Sequence, residues 1–122
     1  MDNQYDFEEK LKFFSDKKTL QRAKSISEDC IRILKIDKEN GLIEAEVQGN
    51  KVIPYKLNFD ITQKTIYNCI EHDCPDYLAR KKANNKFCKH IVKFFNVLNL
   101  KDPTLASRLL NEAGAPGRPA GA

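Results

Sequence analysis

Hydrophobic positions near the start of the chain recur at helical intervals. Phe7, Leu11 and Phe14 are three or four residues apart, which places them on one face of a helix over residues 5–14. Ser15 then offers a break and Asp16 a new N-cap, so the pattern predicts a second short helix over residues 17–26.

From residue 30 the periodicity changes to the alternation that is typical of strands. The segment "CIRILKID" is rich in branched residues, and the following Asn40-Gly41 is the dipeptide that a tight type I′ hairpin turn prefers. Apolar and polar residues alternate in "LIEAEVQ" and again over residues 53–59, where Pro54 indicates a sheet edge or an outward-pointing amide because proline cannot donate to a ladder. A fourth strand is predicted over residues 65–70.

Helical spacing returns in the C-terminal third. Apolar residues recur every three or four positions in "CKHIVKFFNVLNL", which predicts a helix that begins beside Cys88 and packs on the sheet. Asp102 followed by Pro103 is the usual start of a helix, so "TLASRLLNEA" is predicted to form a last short one.

Composition limits the kind of protein this can be. A chain of 122 residues with 41% hydrophobic residues is expected to form one modest core, and its net charge of +4 permits a polyanionic partner without requiring one. The sequence has neither a transmembrane run nor a basic and apolar secretory start. We therefore expect an intracellular protein, cytoplasmic or in the nucleoid or nucleus, whose cysteines bind metal instead of forming disulfides.

Candidate metal ligands crowd into residues 69–90, which hold three of the four cysteines and both histidines. Cys88 and His90 form a Cys-x-His pair, and Cys74 has either His72 or Cys69 available as its own partner. Zinc suits such a set, because it takes four nitrogen or sulfur ligands in a tetrahedron. The remaining cysteine, Cys30, is expected to be a buried strand residue.

The arrangement resembles the SWIM zinc finger, whose signature is Cys-x-Cys, a variable loop and then Cys-x-His. "DCPDY" and "FCKHIV" resemble the segments that carry the second ligand and the last two, and "IEAEVQGNKVIPYKLNF" resembles the two strands before the finger. The similarity covers residues 24–98, and it departs from the family where His72 stands in place of the first cysteine. It implies one structural zinc ion and a role in binding DNA or other proteins.

Strand geometry favours His72 over Cys69 as the first ligand. Residues two apart in an extended strand share a face, so His72 and Cys74 point the same way while Cys69 points oppositely. A bend near Pro75 would instead admit Cys69. The preferred set is His72, Cys74, Cys88 and His90, with Cys69 as the rival for His72.

Four protein ligands leave zinc no open position, so the site is expected to be structural. We therefore expect that the protein is not an enzyme and has no small-molecule substrate. The lack of a transmembrane run also leads us to expect no membrane partner. A basic loop over residues 80–93 is the predicted nucleic-acid-binding surface, favouring DNA with RNA as a second partner. Its candidate contact residues are Arg80, Lys81, Lys82, Lys86, Lys89 and Lys93.

Two other functions remain open at this stage. The first is a protein-interaction adaptor in a DNA-transaction or other complex, docking through Phe7, Phe13 and Phe14 or through the strand around Pro54, with the zinc purely structural. The second is a subunit whose basic surface meets ribosomal RNA within a larger assembly.

The predicted fold is α+β, with a small antiparallel sheet of about four strands, N-terminal helices and a zinc-stapled C-terminal helix. An N-terminal helical segment is expected over residues 1–26, followed by a SWIM-like zinc-binding domain over residues 27–112. Residues 113–122 are rich in proline and glycine and are expected to be a flexible tail, native or left over from cloning.

Overall fold

The computed structural model describes residues 3–49, 52–60, 70–75, 77–78 and 87–112. Within these ranges four helices and four strands follow one another in an α+β arrangement, as predicted. In chain order they are α1 (Asn3–Phe14), α2 (Lys17–Lys24), β1 (Ile31–Asp37), β2 (Leu42–Val47), β3 (Tyr55–Asp60), β4 (Ile70–His72), α3 (Lys89–Lys101) and α4 (Pro103–Glu112).

Two aspartates start helices, as the sequence predicts. The Asp16 carboxylate accepts a hydrogen bond of 2.8 Å from the Thr19 N–H at the start of α2. Asp102 does the same for α4, where its carboxylate accepts a hydrogen bond of 3.1 Å from the Leu105 N–H. A hydrogen bond with Lys38, 2.6 Å away, is the main cause that lowers the pKa of the Asp102 carboxyl. This ion pair ties the junction between α3 and α4 to the turn that follows β1.

The strands form an antiparallel sheet in the order β1-β2-β3-β4. Oppositely charged residues face each other across its solvent side, where Arg32 pairs with Glu46 and Lys35 with Glu44. Leu34 is an extra residue in β1, a bulge that the alternating pattern does not predict.

β1 and β2 form the hairpin that Asn40-Gly41 predicts, but the turn is wider than the tight type I′ turn that this dipeptide prefers. Asp37 pairs with Leu42, so four residues separate the strands. The Asp37 carboxylate accepts hydrogen bonds from both the main-chain and the side-chain N–H of Asn40, and Gly41 has a φ of 65°. These bonds hold the chain in a wider loop that closes through a left-handed glycine.

Pro54 lies just before β3, which is an interior strand of the described sheet, so the first of its two predicted positions, a sheet edge, is wrong. A proline before the first ladder residue removes no ladder hydrogen bond. The edges of the described sheet are β1 and β4. β4 begins at Ile70, and residues 65–69 of the predicted fourth strand lie outside the described residues.

The core forms between α3 and the sheet face that carries Ile43, Leu57 and Phe59. Phe95 of α3 meets the Phe59 ring edge-to-face with the ring centroids 5.7 Å apart. Three apolar side chains of α1 join this core, namely Phe7, Leu11 and Phe14. No helix in the described part of the chain combines the length and the apolar character that crossing a bilayer requires.

Candidate metal centre

The sequence-predicted ligands come together at one end of the sheet. His72 ends β4 and Cys74 follows two residues later, while Cys88 is the N-cap of α3 and His90 lies in its first turn. Ligand atoms of these four side chains all lie within 4.8 Å of one another. The four residues could therefore hold one metal ion between the end of a strand and the start of a helix.

The two sulfur atoms have a separation that suits a shared metal ion. The Cys74 Sγ and Cys88 Sγ atoms are 3.7 Å apart and both cysteines are free. A disulfide would bring the two atoms to about 2.05 Å. Two metal–sulfur bonds of about 2.3 Å at a tetrahedral angle give a sulfur–sulfur distance of about 3.8 Å. The separation of these thiols matches metal coordination and not a disulfide.

His72 is held in the tautomer that a metal ligand needs. Its ring is buried at 3% exposure, and Nδ1 is in hydrogen-bond contact with the main-chain carbonyl oxygen of Lys56. Because a carbonyl only accepts, Nδ1 carries the proton and Nε2 has a free lone pair. In metal-binding histidines, a hydrogen bond from the ring nitrogen that does not bind the metal commonly fixes the orientation of the ring.

Both imidazoles have a nitrogen atom with no hydrogen-bond partner among the described residues. His72 Nε2 and His90 Nδ1 are buried from solvent, and neither is paired. Leaving a buried polar atom unpaired costs about 1–3 kcal/mol, so two such atoms beside two thiols need a physical explanation. A metal ion bound to both nitrogen atoms would satisfy them at once.

The thiol pair already has one member suited to act as a thiolate. Donation of a hydrogen bond from Cys88 is the main cause that lowers the pKa of the Cys74 thiol, and the Tyr77 N–H donates to the same sulfur at 3.3 Å. Burial is the main cause that raises the pKa of the Cys88 thiol. A metal ion bound here would take both cysteines as thiolates and would displace their protons.

Aromatic rings close the site from the side of β3. The Tyr55 ring centroid lies 6.1 Å from that of His72 and 5.8 Å from that of His90. Gly49 makes room for this ring, because a Cβ at that position would come within 2.7 Å of Tyr55 Cε2. On the other side of His72 the Tyr77 ring is 5.6 Å away. Sequence reasoning did not assign Gly49, Tyr55 or the Lys56 carbonyl to the site.

The predicted nucleic-acid contacts are only partly covered by the structure. Lys89 is exposed in the first turn of α3, whereas Lys93 is 8% exposed and offers little surface to a phosphate group. The other four residues lie outside the described part of the chain, and so does Cys69, the rival ligand. They are Arg80, Lys81, Lys82 and Lys86.

The residues proposed for an adaptor role occupy different environments. Phe7 and Phe14 are buried at 1% and 3% exposure and cannot dock on a partner, while Phe13 is 47% exposed. Pro54 lies beside an interior strand, so it offers no open edge. Cys30 is half-buried at the end of a short 3-10 helix (Glu28–Cys30) before β1, so the prediction of a buried strand residue is wrong, and it is not part of the cluster.

The chain matches no protein-family model, no curated protein and no solved structure.

Metal content can decide between His72 and Cys69. We expect His72→Ala to lose the bound metal, because it removes an unpaired ligand atom from the cluster, and Cys69→Ala to retain it. The measurement is metal content per chain by plasma mass spectrometry after dialysis. Retention of a full complement of metal by His72→Ala, together with its loss from Cys69→Ala, would reverse the assignment.

Proposed function

We propose that His72, Cys74, Cys88 and His90 bind one zinc ion with a structural role. The observation that carries the proposal is the convergence of two thiols and two unpaired imidazole nitrogens in a buried site. Two sulfur and two nitrogen ligands in a tetrahedral arrangement are typical of zinc. When bound, zinc would supply four coordinate bonds that connect the end of β4 to the start of α3.

A structural role follows from the number and the burial of the ligands. Four protein ligands complete the tetrahedron, so water or substrate has no open position, and we propose a non-catalytic module. His72, Cys74 and Cys88 are buried and His90 is half-buried, which restricts solvent access further. The ligand spacing and the preceding strands support a SWIM-type zinc finger in which His72 replaces the first cysteine.

Cys74 and Cys88 both belong to the cluster, so a bound zinc ion would fix both ends of the segment between them. Residues 79–86 have the sequence "ARKKANNK", with four basic residues and no acidic one. Lys89, which lies between Cys88 and His90, adds an exposed cation. We propose that this basic surface binds the phosphate backbone of nucleic acid, favouring DNA.

Anisotropy titrations with fluorescent duplex DNA, single-stranded DNA and RNA test this function. We expect saturable binding by the zinc-loaded protein that weakens steeply as salt is raised. Lys81→Ala with Lys82→Ala should make the slope of log affinity against log salt shallower by about 1.8, because two phosphate contacts are lost. A matched control, Lys18→Ala with Lys24→Ala, removes the same charge from exposed positions of α2.

Two outcomes would contradict the nucleic-acid proposal. One is the lack of binding to all three nucleic acids at low salt, with zinc bound and the fold intact. The other is an equal loss of affinity in the α2 control, since that would indicate attraction by net charge alone. The zinc proposal stands apart from both results, because it is tested by metal content.

A further inference from the structure

β1 forms one edge of the sheet that the structure describes. β1 is seven residues long and pairs only with β2 among the strands that the structure describes. Every second N–H and C=O group of an edge strand faces away from its neighbour and can pair with another chain. This edge lies on the opposite side of the sheet from β4, which carries His72.

The bulge gives this edge an apolar row on the helix side. Ile33 pairs with Ala45, and after the extra residue Leu34 the register places Ile36 opposite Ile43. Ala45 and Ile43 both belong to the buried face of β2, so Ile33 and Ile36 lie on that face as well. Ile36 is nevertheless 37% exposed and Leu34 is 59% exposed within the part of the chain that the structure describes.

Positive charge accompanies the apolar row. A groove runs along the edge, and the described residues that line it are four apolar side chains and three cations. The lining residues are Ile31, Arg32, Ile33, Leu34, Lys35, Ile36 and Lys101. Arg32 and Lys35 contact the carboxylates of Glu46 and Glu44 in β2. A strand added at the edge would lie on the side of β1 that faces away from β2.

We propose that the β1 edge binds an extended segment of a partner protein by strand addition, and that this segment alternates acidic and apolar residues. Main-chain hydrogen bonds to the edge would supply affinity, and the side chains would supply selectivity. Apolar residues of the segment would cover Ile33 and Ile36, while its carboxylates would lie beside Arg32 and Lys35. The inference goes beyond the proposed nucleic-acid function and uses a different surface.

The same features disfavour other occupants. A second copy of the chain paired through this edge would bring its own Arg32, Lys35 and Lys101 to a groove that already holds three cations. The same cations would attract an acidic segment and would repel a second copy of the chain.

An NMR titration tests the proposal with a defined probe. The probe is a capped eight-residue peptide that alternates glutamate and valine, added to the ¹⁵N-labelled, zinc-loaded protein. We expect saturable shifts confined to the amides of β1 and to those around Lys101, at peptide concentrations up to about 1 mM. The matched probes are a lysine–valine alternation and a peptide with four glutamates followed by four valines.

Charge reversal distinguishes the groove from a general attraction. Lys35→Glu with Lys101→Glu is expected to weaken binding of the glutamate–valine peptide about tenfold and to improve binding of the lysine–valine peptide. Lys18→Glu with Lys24→Glu makes the same charge change on α2 and should leave both affinities unchanged. Thermal melts of both variants establish that the fold is retained.

Four results would overturn the inference. These are the lack of shifts in β1, equal binding of the non-alternating peptide, and sedimentation of the protein alone as a dimer that Lys35→Glu alters. The fourth is a DNA duplex that shifts the β1 amides more than the peptide does. None of these results bears on metal content or on the salt dependence of the Lys81 and Lys82 variants, so the two proposals fail separately.

Discussion

Cys88→Ser is expected to abolish zinc binding and to leave the chain largely unfolded at 25 °C. Cys88 is fully buried, its sulfur is 3.7 Å from that of Cys74, and it is the N-cap of α3. Structural zinc sites contribute about 10–16 kcal/mol of binding free energy in small zinc-finger peptides. Small domains have about 5–15 kcal/mol of stability in total, so losing the ion can exceed the whole.

Cys30→Ser provides the matched control for this experiment. Cys30 is half-buried and lies outside the cluster, so its variant should keep a full complement of zinc and a cooperative melt. The measurements are zinc content per chain and circular dichroism during thermal unfolding. A Cys88→Ser protein that melts like the wild type would show that the fold does not depend on the metal centre.

Phe87→Ala is expected to destabilise the zinc-loaded protein by about 3–5 kcal/mol, the usual cost of truncating a buried phenylalanine. The Phe87 ring stacks on Phe14 with the centroids 4.4 Å apart and on Phe95 at 5.6 Å. Its main-chain N–H also donates to the Phe14 carbonyl at 2.9 Å. Phe87, which directly precedes Cys88, therefore joins the N-terminal helix and the core to the metal centre.

Phe13→Ala is the control for this core prediction, because Phe13 lies next to Phe14 in α1 and is 47% exposed. Its truncation should cost less than about 1.5 kcal/mol. Urea unfolding of the zinc-loaded variants gives both values. Equal free energies of unfolding for the two variants would mean that Phe87 does not anchor the metal centre to the core.

Local signals in the sequence were enough to predict the helices and the class of fold. Asp16 and Asp102 precede their helices as N-caps, and their carboxylates bond main-chain N–H groups three residues later. Each of these features depends on neighbours within one turn of the chain, which sequence spacing records directly. The alternation over residues 42–48 predicted β2 in the same way.

The sequence pattern did not predict the features that depend on pairing between strands or on side-chain bonds in a turn. The bulge at Leu34 changes which residues of β1 face the core, and it is defined only by pairing with β2. The turn after Asp37 widened because the Asp37 side chain bonds Asn40, a preference that competes with the Asn-Gly turn signal. Pro54 was compatible with a sheet edge or an outward-pointing amide, since the order of strands in the sheet cannot be read from one proline.

For the metal centre, spacing identified the four residues that the structure brings together but not the atoms around them. Two pairs of His and Cys in a short stretch are a sequence-level signal. The Lys56 carbonyl that orients His72 depends on the register between β3 and β4, and no side-chain pattern encodes it. The burial of Lys93 likewise depends on the packing of α3, which a count of basic residues ignores.

The most direct test of the zinc-centred account is a thermal melt of the purified protein, with its metal content measured before and after a chelator. The account predicts one zinc ion per chain and a midpoint that falls by more than about 20 °C when zinc is removed. Adding zinc back should restore the midpoint. A protein purified under reducing conditions without metal, or one whose midpoint and helical signal are unchanged after complete removal of zinc, would contradict the account.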